Sequence, residues 1–339
     1  TLALTGVKKG HSRALSLRCF SANTRFCAVD GTFSTDIALA CIVFCIYKEH
    51  VMHFPCSDTW LEGLLADDCP GLDLTVELLG IAAASGVMRF APKADCTISG
   101  VEEAGLLLRK CGLSVSRTAA NGDRLAAGQQ CLEATGPAAA LHRGWKLAQT
   151  LMEYMTGIAT RAAHMVEQAH TANPAVRVAV TRKNFPGAKA ICLEAAMNGG
   201  AIIHRQNLSD SILIFDQHRA FLPGEQQASL RSVAAMMDKL RAKAPERKVS
   251  AEVDTFDDAL LVAEAGIDIV QCEKFDCETL AATVGAVRAL RDDIVILAAG
   301  GVNGGNAAQY AATGVDVLVT SWPYFGKPAD IKVVMEKAP

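Results

Sequence analysis

The sequence predicts an α/β protein in two parts, an N-terminal open-faced α+β sandwich followed by a C-terminal partial (β/α) barrel. Before residue 157, short strand-like segments alternate around a helix-like stretch, whereas strands and helices alternate at short intervals after it. Charged side chains follow several of the later strands, and the C-terminal ends of the strands are where parallel barrels carry their active sites. About seven strands are recognisable there, which predicts an incomplete barrel rather than eight full units.

Composition narrows the class of protein. Half of the 339 residues are apolar and the formal net charge is −3, so the chain can build a sizeable core and gives no reason to expect nucleic-acid or membrane binding. The apolar run at 37–47 is too short to span a bilayer. Twelve cysteines at irregular spacings, without a CxxC pair, indicate free thiols in a reducing compartment, and a cytoplasmic location is expected.

The first part of the chain, residues 1–51, does not resemble the rest. It mixes basic, hydroxyl and cysteine residues without clear periodicity. We interpret it as a non-native or poorly ordered extension, with Met52 as the natural start. An organelle transit segment is the alternative, and Asp30 and Asp36 count against it.

Recognisable signals of secondary structure in the N-terminal layer begin at Ser57, which is predicted to cap a helix over 58–66. Asp67, Asp68 and Asp73 follow that helix, and a solvated loop is favoured there over a metal site. The further predicted elements are strands near 86–92, 96–100, 114–117 and 131–135 and a helix over 101–110.

A long helical stretch leads into the barrel. It is predicted over 138–155, with a break at Thr156-Gly157 and a second helix over 159–172 that ends at Asn173-Pro174. The domain boundary is therefore placed near Gly157. The predicted domains are 52–157 and 158–325, and the C-terminal tail 326–339 is expected to pack back on the first domain.

The barrel strands end in side chains that can carry chemistry. The pairs at successive strand ends are Arg182 and Lys183, His204 and Arg205, Asp216 and His218, Glu252 and Asp254, and Glu273 and Lys274. Because successive strand side chains alternate between faces, only one of each adjacent pair is expected to point into the barrel mouth. A later strand ends in Gly300-Gly301, and a helix is expected from Gly304 or Gly305.

These residue types together predict a site for phosphoribosyl diphosphate. Arginine and lysine suit carboxylates, phosphate or pyrophosphate. Glu252 and Glu273 could hold ribose hydroxyls or Mg²⁺, which prefers oxygen ligands. A glycine pair lets backbone N–H groups approach a 5′-phosphate. The alternative for Glu252 is an ion pair with Lys248, and His204 could be a structural imidazole.

Five segments resemble the quinolinate phosphoribosyltransferase family. They are TGIAT at 156–160, TRKNFPG at 181–187, GGAIIHR at 199–205, AEVD at 251–254 and AAGGVN at 298–303. WKLA at 145–148, ILIFDQH at 212–218, CEKF at 272–275 and VTSWPY at 319–324 resemble the ModD branch of that family, named as pyrophosphorylases and associated with molybdenum-transport loci. The likeness runs from about residue 52 to the C-terminus.

The resemblance implies a partial barrel of the type II phosphoribosyltransferase kind and a homodimer whose partner closes each barrel mouth. It implies transfer of a phosphoribosyl group from 5-phosphoribosyl 1-diphosphate, with Mg²⁺, to a pyridine-type carboxylate. By motif, Arg182 and Lys183 would act in catalysis with Glu252 and Glu273, which would also hold the metal. The substrate-binding residues implied by the resemblance are Lys146, Arg182, Lys183, His204, Arg205, Glu252, Lys274, Gly300, Gly301 and Ser321. Lys146 stands where the quinolinate enzymes place an arginine that crosses the dimer interface.

The sequence departs from the family pattern at three places. Phe215 stands where the family's LIKDNH segment has a lysine for the anionic site. Cys272-Glu273-Lys274 replaces a Leu-Asp-Asn motif, and Ala299 replaces a serine. Loss of a lysine disfavours a dicarboxylate, because a buried carboxylate without its partner is costly. The ribosyl-phosphate half is thus expected to be retained and the base half altered.

Three functions remain open at this point. The first is a phosphoribosyltransferase acting on another nitrogenous, carboxylated heterocyclic base, linked to molybdenum through the resemblance alone. The second is a true quinolinate enzyme of NAD synthesis, against which Phe215 counts. The third is a non-catalytic binding or regulatory protein on a retained scaffold.

Overall fold

A computed structural model describes the backbone of residues 3–6 and 15–18 and all of residues 56–222 and 230–338. The interpretation of 1–51 as an extension falls outside these residues, apart from strands β1 (Ala3–Gly6) and β2 (Leu15–Arg18), which pair antiparallel. The chain divides into two compact units, Thr1–His53 and Phe54–Pro339. The second unit contains every feature described below.

The N-terminal part of this unit is an antiparallel sheet with helices packed on it. Its elements are α1 (Asp58–Asp68), α2 (Leu74–Leu78), β3 (Ser85–Pro92), β4 (Cys96–Thr97), α3 (Val101–Lys110), β5 (Ser114–Arg117), β6 (Arg124–Leu125) and β7 (Leu132–Pro137). Strand β3 alternates between buried and partly exposed residues, and Met88 and Phe90 pack in the core beneath α3. This alternation is typical of a sheet covered on one face.

Local capping explains how this part begins. The Ser57 hydroxyl accepts a hydrogen bond of 3.2 Å from the Trp60 amide, which confirms the predicted cap of α1. Of the residues predicted in a solvated loop, Asp67 and Asp68 belong to the end of α1, and 69–73 form a loop that leads into α2. Asp73 caps it by accepting from the amides of Thr75 at 2.9 Å and Val76 at 3.1 Å. Asp73 therefore has a structural role, and the described residues contain no cluster of three or more metal-ligating side chains.

The predicted break at Thr156-Gly157 is wrong, because a single helix, α4 (Ala138–Ala172), runs through it for 35 residues. The Thr156 hydroxyl donates to the Ser99 carbonyl at 2.9 Å. Gly157 lies so close to the segment 327–329 that a Cβ atom would sit 3.0 Å from the Lys327 carbonyl oxygen. Glycine here permits close packing rather than ending the helix, and α4 contacts both parts of the unit.

The C-terminal part is a curled sheet of seven parallel strands with helices outside, which confirms the predicted partial barrel. Its elements are β8 (Arg177–Val180), α5 (Lys189–Asn198), β9 (Ile202–Ile203), β10 (Ile212–Ile214), α6 (Asp216–Arg219), α7 (Leu230–Lys243), β11 (Val249–Val253), α8 (Phe256–Glu264), β12 (Ile269–Glu273), α9 (Cys277–Leu290), β13 (Val295–Ala299), α10 (Ala307–Ala311) and β14 (Val317–Thr320). The strand order is β10-β11-β12-β13-β14-β8-β9. Strands β9 and β10 are the two edges of this sheet, so the barrel is open between them.

Strand alternation divides the barrel into an outer core and an interior. On β12, Val270 and Cys272 belong to the large core beneath the helices. Ile269 packs instead with the interior residues, and Gln271 and Glu273 line the cavity of the barrel mouth. The strand therefore points three residues inward, and two of these are polar.

The chain returns to the N-terminal sheet after the barrel. A short 3₁₀ turn, Trp322–Tyr324, leads to β15 (Ile331–Lys337), which pairs antiparallel with β3 along its whole length. Glu336 accepts from Arg89 at 2.9 Å across this pairing. The C-terminal tail is thus the edge strand of the first sheet. Among the described helices, none combines the length and apolarity required to cross a membrane.

Candidate active site

A cavity of about 750 Å³ opens at the C-terminal ends of the barrel strands. It is lined by Thr181, Arg182, Lys183, His204, Arg205, Leu213, Phe215, Asp216, Gln217, Glu252, Asp254, Gln271, Glu273, Lys274, Ala299, Gly300, Gly301, Val302, Asn303, Val319, Thr320, Ser321 and Trp322. Every predicted site residue except Lys146 is in this lining. The barrel topology thus brings together residues that are far apart in the chain.

Charge is distributed unevenly around the cavity. Arg182, Lys183 and Arg205 follow β8 and β9 and form what we term the cationic side. Glu252, Asp254 and Glu273 lie on or just after β11 and β12 and form the acidic side. Strands β13 and β14 separate the two sides in the sheet. One cavity therefore offers separate surfaces for an anion and for hydroxyl groups or a cation.

The expectation that only one residue of each charged pair reaches the mouth is wrong. Both members of the pairs at 182–183, 204–205 and 273–274 line the cavity. Strands β8 and β9 end at Val180 and Ile203, so the first two pairs lie in loops where the alternation of a strand no longer applies. The barrel mouth consequently collects more charge than strand geometry predicts.

Arg205 is the most buried cation of the cationic side, with 8% of its surface exposed. Its guanidinium carbon lies 5.5 Å from the centre of the Phe215 ring, within the range of a cation–π contact. Phe215 stacks in turn on His218, with ring centres 5.7 Å apart and planes inclined by 17°. The position that carries a lysine in the resembled family is thus an aromatic wall beside a buried arginine.

His204 lies between the cavity and the barrel interior. Burial, and secondarily the nearby charge of Arg205, lowers the pKa of His204 to about 4. Its imidazole is therefore neutral near neutral pH. It can donate or accept one hydrogen bond but contributes no fixed charge to the cationic side.

The acidic side is held by an amide. Gln271 Nε2 donates to Glu252 Oε2 at 2.8 Å. Burial and then the neighbouring charge of Glu273 raise the pKa of Glu252, whereas the Gln271 hydrogen bond opposes that rise. Glu252 is thus bonded to Gln271, and no ion pair with Lys248 is found among the described residues. Two adjacent carboxylates supply oxygen ligands of the kind that Mg²⁺ takes in pairs alongside phosphate oxygens.

The glycine turn after β13 differs from its prediction. Helix α10 begins at Ala307, not at Gly304 or Gly305, because Asn303 and Asn306 side chains tie the intervening turn through bonds to Gly301 and Gly305. Gly300 has a packing reason of its own, since a Cβ atom there would lie 2.6 Å from Lys274 Cγ. Gly301, with φ 89° and no neighbouring atom within 4 Å, is open to the cavity.

Lys274 is the one non-glycine residue with positive φ, 57°, in the described part of the chain. A side chain with a Cβ atom is unfavourable in this region of backbone space. Its side chain is 79% exposed and its Nζ lies 3.9 Å from Glu273 Oε1. The strained backbone therefore places an exposed ammonium group beside Glu273 on the acidic side.

Lys146 does not reach this cavity. It is exposed on α4, donates to Gln149 Oε1 at 2.9 Å and lies 4.6 Å from the centre of the Trp145 ring. The role expected for it, across a dimer interface, stays a prediction. Its helix position sets it on the outer surface of the sandwich rather than at a barrel strand end.

Several lining residues were missed by sequence reasoning, above all Gln271 and Thr320. A usable signal existed for Gln271, because it shares the inward face of β12 with Glu273 and interrupts an apolar strand. Thr320 donates to the Val302 carbonyl at 2.7 Å and accepts from the Trp322 amide at 3.0 Å. It therefore fixes the turn that follows β14, a role that only tertiary contacts reveal.

Family models match most of the chain. The C-terminal domain of quinolinate phosphoribosyl transferase matches residues 158–334, and the N-terminal domain matches residues 73–156. Together they cover more than half of the sequence. The two matches meet inside helix α4.

Curated relatives agree with this assignment. A ModD protein of Rhodobacter capsulatus, named as a pyrophosphorylase, is 40% identical over 77% of this chain and 98% of its own length. A ModD protein of Pasteurella multocida is 34% identical over 83% of this chain and 98% of its own. A protein of Methanothermobacter thermautotrophicus, named as a carboxylating nicotinate-nucleotide pyrophosphorylase, is 33% identical over 73% and 86%.

Solved structures share the fold. NadC from Streptococcus pyogenes superposes with a TM-score of 0.74 at 21% identity, covering 83% of this chain and 97% of that one. The nicotinate-nucleotide pyrophosphorylase from Francisella tularensis superposes with a TM-score of 0.74 at 18% identity, covering 85% and 100%. The chain belongs to the quinolinate phosphoribosyltransferase family of pentosyltransferases, and within it to the ModD group.

Proposed function

We propose that the protein transfers the phosphoribosyl group of 5-phosphoribosyl 1-diphosphate to a nitrogenous, carboxylated heterocyclic base and releases diphosphate. The observation that carries this proposal is the division of one cavity into a cationic side and an acidic side. Three cations of the cationic side suit a diphosphate and a carboxylate. The carboxylates of the acidic side suit ribose hydroxyls. Gly301 offers an open backbone for the 5′-phosphate.

The geometry supports a substitution at the anomeric carbon. The ring nitrogen of the base forms the new carbon–nitrogen bond while the carbon–oxygen bond to diphosphate breaks, and both bonding electrons leave with diphosphate. In this proposal Arg182 and Lys183 neutralise the leaving group. Glu252 and Glu273 stabilise the positive charge that develops on the ribose. Both substrates need only be held in line, so no covalent enzyme intermediate is required.

Glu252 and Glu273 are also the residues that would hold Mg²⁺. Their donor set fits this ion, which is commonly held by one or two carboxylates together with substrate phosphates. When bound, the ion would neutralise charge on the diphosphate. Gln271 fixes the orientation of Glu252 by its hydrogen bond of 2.8 Å.

The base is the altered half of the site. Phe215 offers a ring instead of a second fixed cation, and Arg205 lies beside that ring. A planar heteroaromatic acid with one carboxylate suits a wall of this kind better than a dicarboxylate. The second candidate, a carboxylating quinolinate enzyme, is favoured by the name of the Methanothermobacter relative at 33% identity.

We also propose that the working protein is a homodimer with shared sites. Lys146 is exposed and outside its own cavity, so it is available to a second copy. Leu72, Leu74, Leu78 and Leu79 form an exposed apolar strip on the same N-terminal part. Mixing Lys146→Ala with Arg182→Ala protein tests this: a dimer with shared sites regains activity in the mixed sample, whereas independent sites do not.

The experiment that tests the function is diphosphate release by the full chain with 5-phosphoribosyl 1-diphosphate and Mg²⁺, against a panel of azaheterocyclic acids. Release with a monocarboxylic base is expected. Quinolinate-dependent release with carbon dioxide would establish the second candidate instead. Absence of diphosphate release with every base of the panel would contradict both candidate functions. Arg182→Ala supplies the inactive control, and Lys189→Ala, an exposed lysine of α5 outside the cavity, supplies the active one.

A further inference from the structure

Gln271 is the one cavity-lining amide that is both deeply buried and only half satisfied among the described residues. It lies on the inward face of β12 and is 4% exposed. Its Nε2 donates to Glu252 Oε2 at 2.8 Å. Its carbonyl oxygen Oε1 is buried and has no hydrogen-bond partner in the part of the chain that the structure describes.

A buried carbonyl without a donor destabilises a fold. The amide nitrogen of Gln271 has a role within the fold, because it holds Glu252. The carbonyl oxygen has none there, and a donor that arrives with the ligand would explain it.

The orientation of the amide follows from its neighbours. An ionised carboxylate only accepts hydrogen bonds, so Glu252 fixes the NH₂ group towards itself and directs Oε1 elsewhere. The carboxylates near it on the acidic side, Glu273 and Asp254, are also acceptors. The Lys274 ammonium is a donor, but it lies beside Glu273 and makes no hydrogen bond to Oε1. Oε1 consequently needs another donor.

We propose that Gln271 Oε1 accepts a hydrogen bond from the bound ligand, either from a ribose hydroxyl or from an N–H group of the acceptor base, and that Gln271 is thereby a specificity-determining residue. This inference rests on the proposed function. An N–H source would also disfavour quinolinate, whose ring nitrogen and two carboxylates are acceptors only.

Two variants separate the carbonyl from the hydrogen bond to Glu252. Gln271→Met removes both groups with little change in shape. Gln271→Lys keeps a donor towards Glu252 but cannot accept a hydrogen bond. Cys272→Ala is the matched control, because Cys272 is buried on the same strand but faces the outer core. Thermal unfolding of each variant checks that it folds.

Calorimetry compares ligands in two kinds of pair with Mg²⁺ present. The first, the ribose pair, sets 5-phosphoribosyl 1-diphosphate against either its 2-deoxy or its 3-deoxy analogue. The second is nicotinate and 6-aminonicotinate, each with the diphosphate substrate bound. If the source is the ribose, both Gln271 variants weaken the parent ligand about tenfold and no longer distinguish one deoxy analogue from it. If the source is the base, they lose a preference of about tenfold for the amino compound and leave the ribose pair unchanged.

Unchanged discrimination in both pairs would overturn the inference and leave the carbonyl with a bound water only. Wild-type discrimination by Gln271→Lys but not by Gln271→Met would also overturn the inference, because Gln271 would then act through Glu252 alone. Failure of the wild-type chain to bind any of these ligands would remove the proposed function and the inference with it. That outcome is distinct, since it concerns the unaltered protein.

Discussion

The cationic side and the acidic side of the cavity solve the same problem, the placement of charge in a barrel mouth, in different ways. The cationic side takes its residues from loops after β8 and β9, and its arginine Arg205 is buried against the ring of Phe215. On the acidic side Glu252 and Glu273 are held within β11 and β12, and Gln271 braces Glu252 by a hydrogen bond. Loop residues can change partner easily, whereas strand residues are fixed by register. The difference places positional precision on the acidic side and leaves adaptability to the cationic side.

The largest expected effect comes from the cationic side. Arg205→Ala removes a buried cation that no other described residue replaces, so turnover should fall at least about a thousandfold. Steady-state diphosphate release with thermal unfolding as a check measures this. Lys189→Ala should leave the rate unchanged. Turnover of Arg205→Ala within tenfold of wild type would show that Arg182 and Lys183 alone serve the anion.

Protonation of His204, beside the cationic side, is expected to lower the stability of the fold. Its pKa, about 4 in the fold, is below the usual value of roughly 6.5. Between these values the unfolded chain binds a proton that the folded chain does not, so wild-type stability falls as pH drops through this window. The loss should be about 1 to 3 kcal/mol between pH 7 and pH 4.

Denaturant unfolding of wild type and His204→Asn at both pH values measures that loss. The variant lacks the titrating imidazole, so its unfolding free energy should decrease less than that of wild type. An equal decrease in both proteins would assign the pH dependence to other groups, such as the acidic side.

Substitution of Phe215 tests whether the aromatic ring beside the cationic side determines which base the cavity accepts. Phe215→Lys restores the cation of the resembled family beside Arg205, so activity with quinolinate should rise about tenfold relative to wild type. Phe215→Leu is the matched control, because it removes the ring without adding charge. If lysine is no better than leucine, the aromatic wall does not set base choice.

The smallest expected effect comes from the strained residue over the acidic side. Lys274→Asn should raise the free energy of unfolding by about 0.5 to 1 kcal/mol, because asparagine tolerates positive φ better than lysine. Lys274→Met keeps the strain and removes the charge. Both variants should bind 5-phosphoribosyl 1-diphosphate a few times more weakly. Equal stability of all three proteins would show that φ 57° carries little strain.

Predictions from sequence succeeded where a signal is local. The cap at Ser57, the helix at 101–110 and the seven strands follow from residue type and periodicity over a few positions. They failed where packing against a distant segment determines the local structure. The glycine at 157 ends a helix in isolation, but here it admits the 327–329 segment and the helix continues.

The sequence by itself determined the barrel and the identity of its charged strand ends, because hydrophobic period and motif letters are properties of the chain. Only the tertiary structure decided which side chains share the cavity. It left Lys146 outside the cavity of its own chain, admitted both members of the adjacent pairs at 182–183, 204–205 and 273–274 and revealed the unpaired carbonyl of Gln271. The physical reason is that a side chain's partners depend on strand register and loop direction, which arise from packing between segments far apart in sequence.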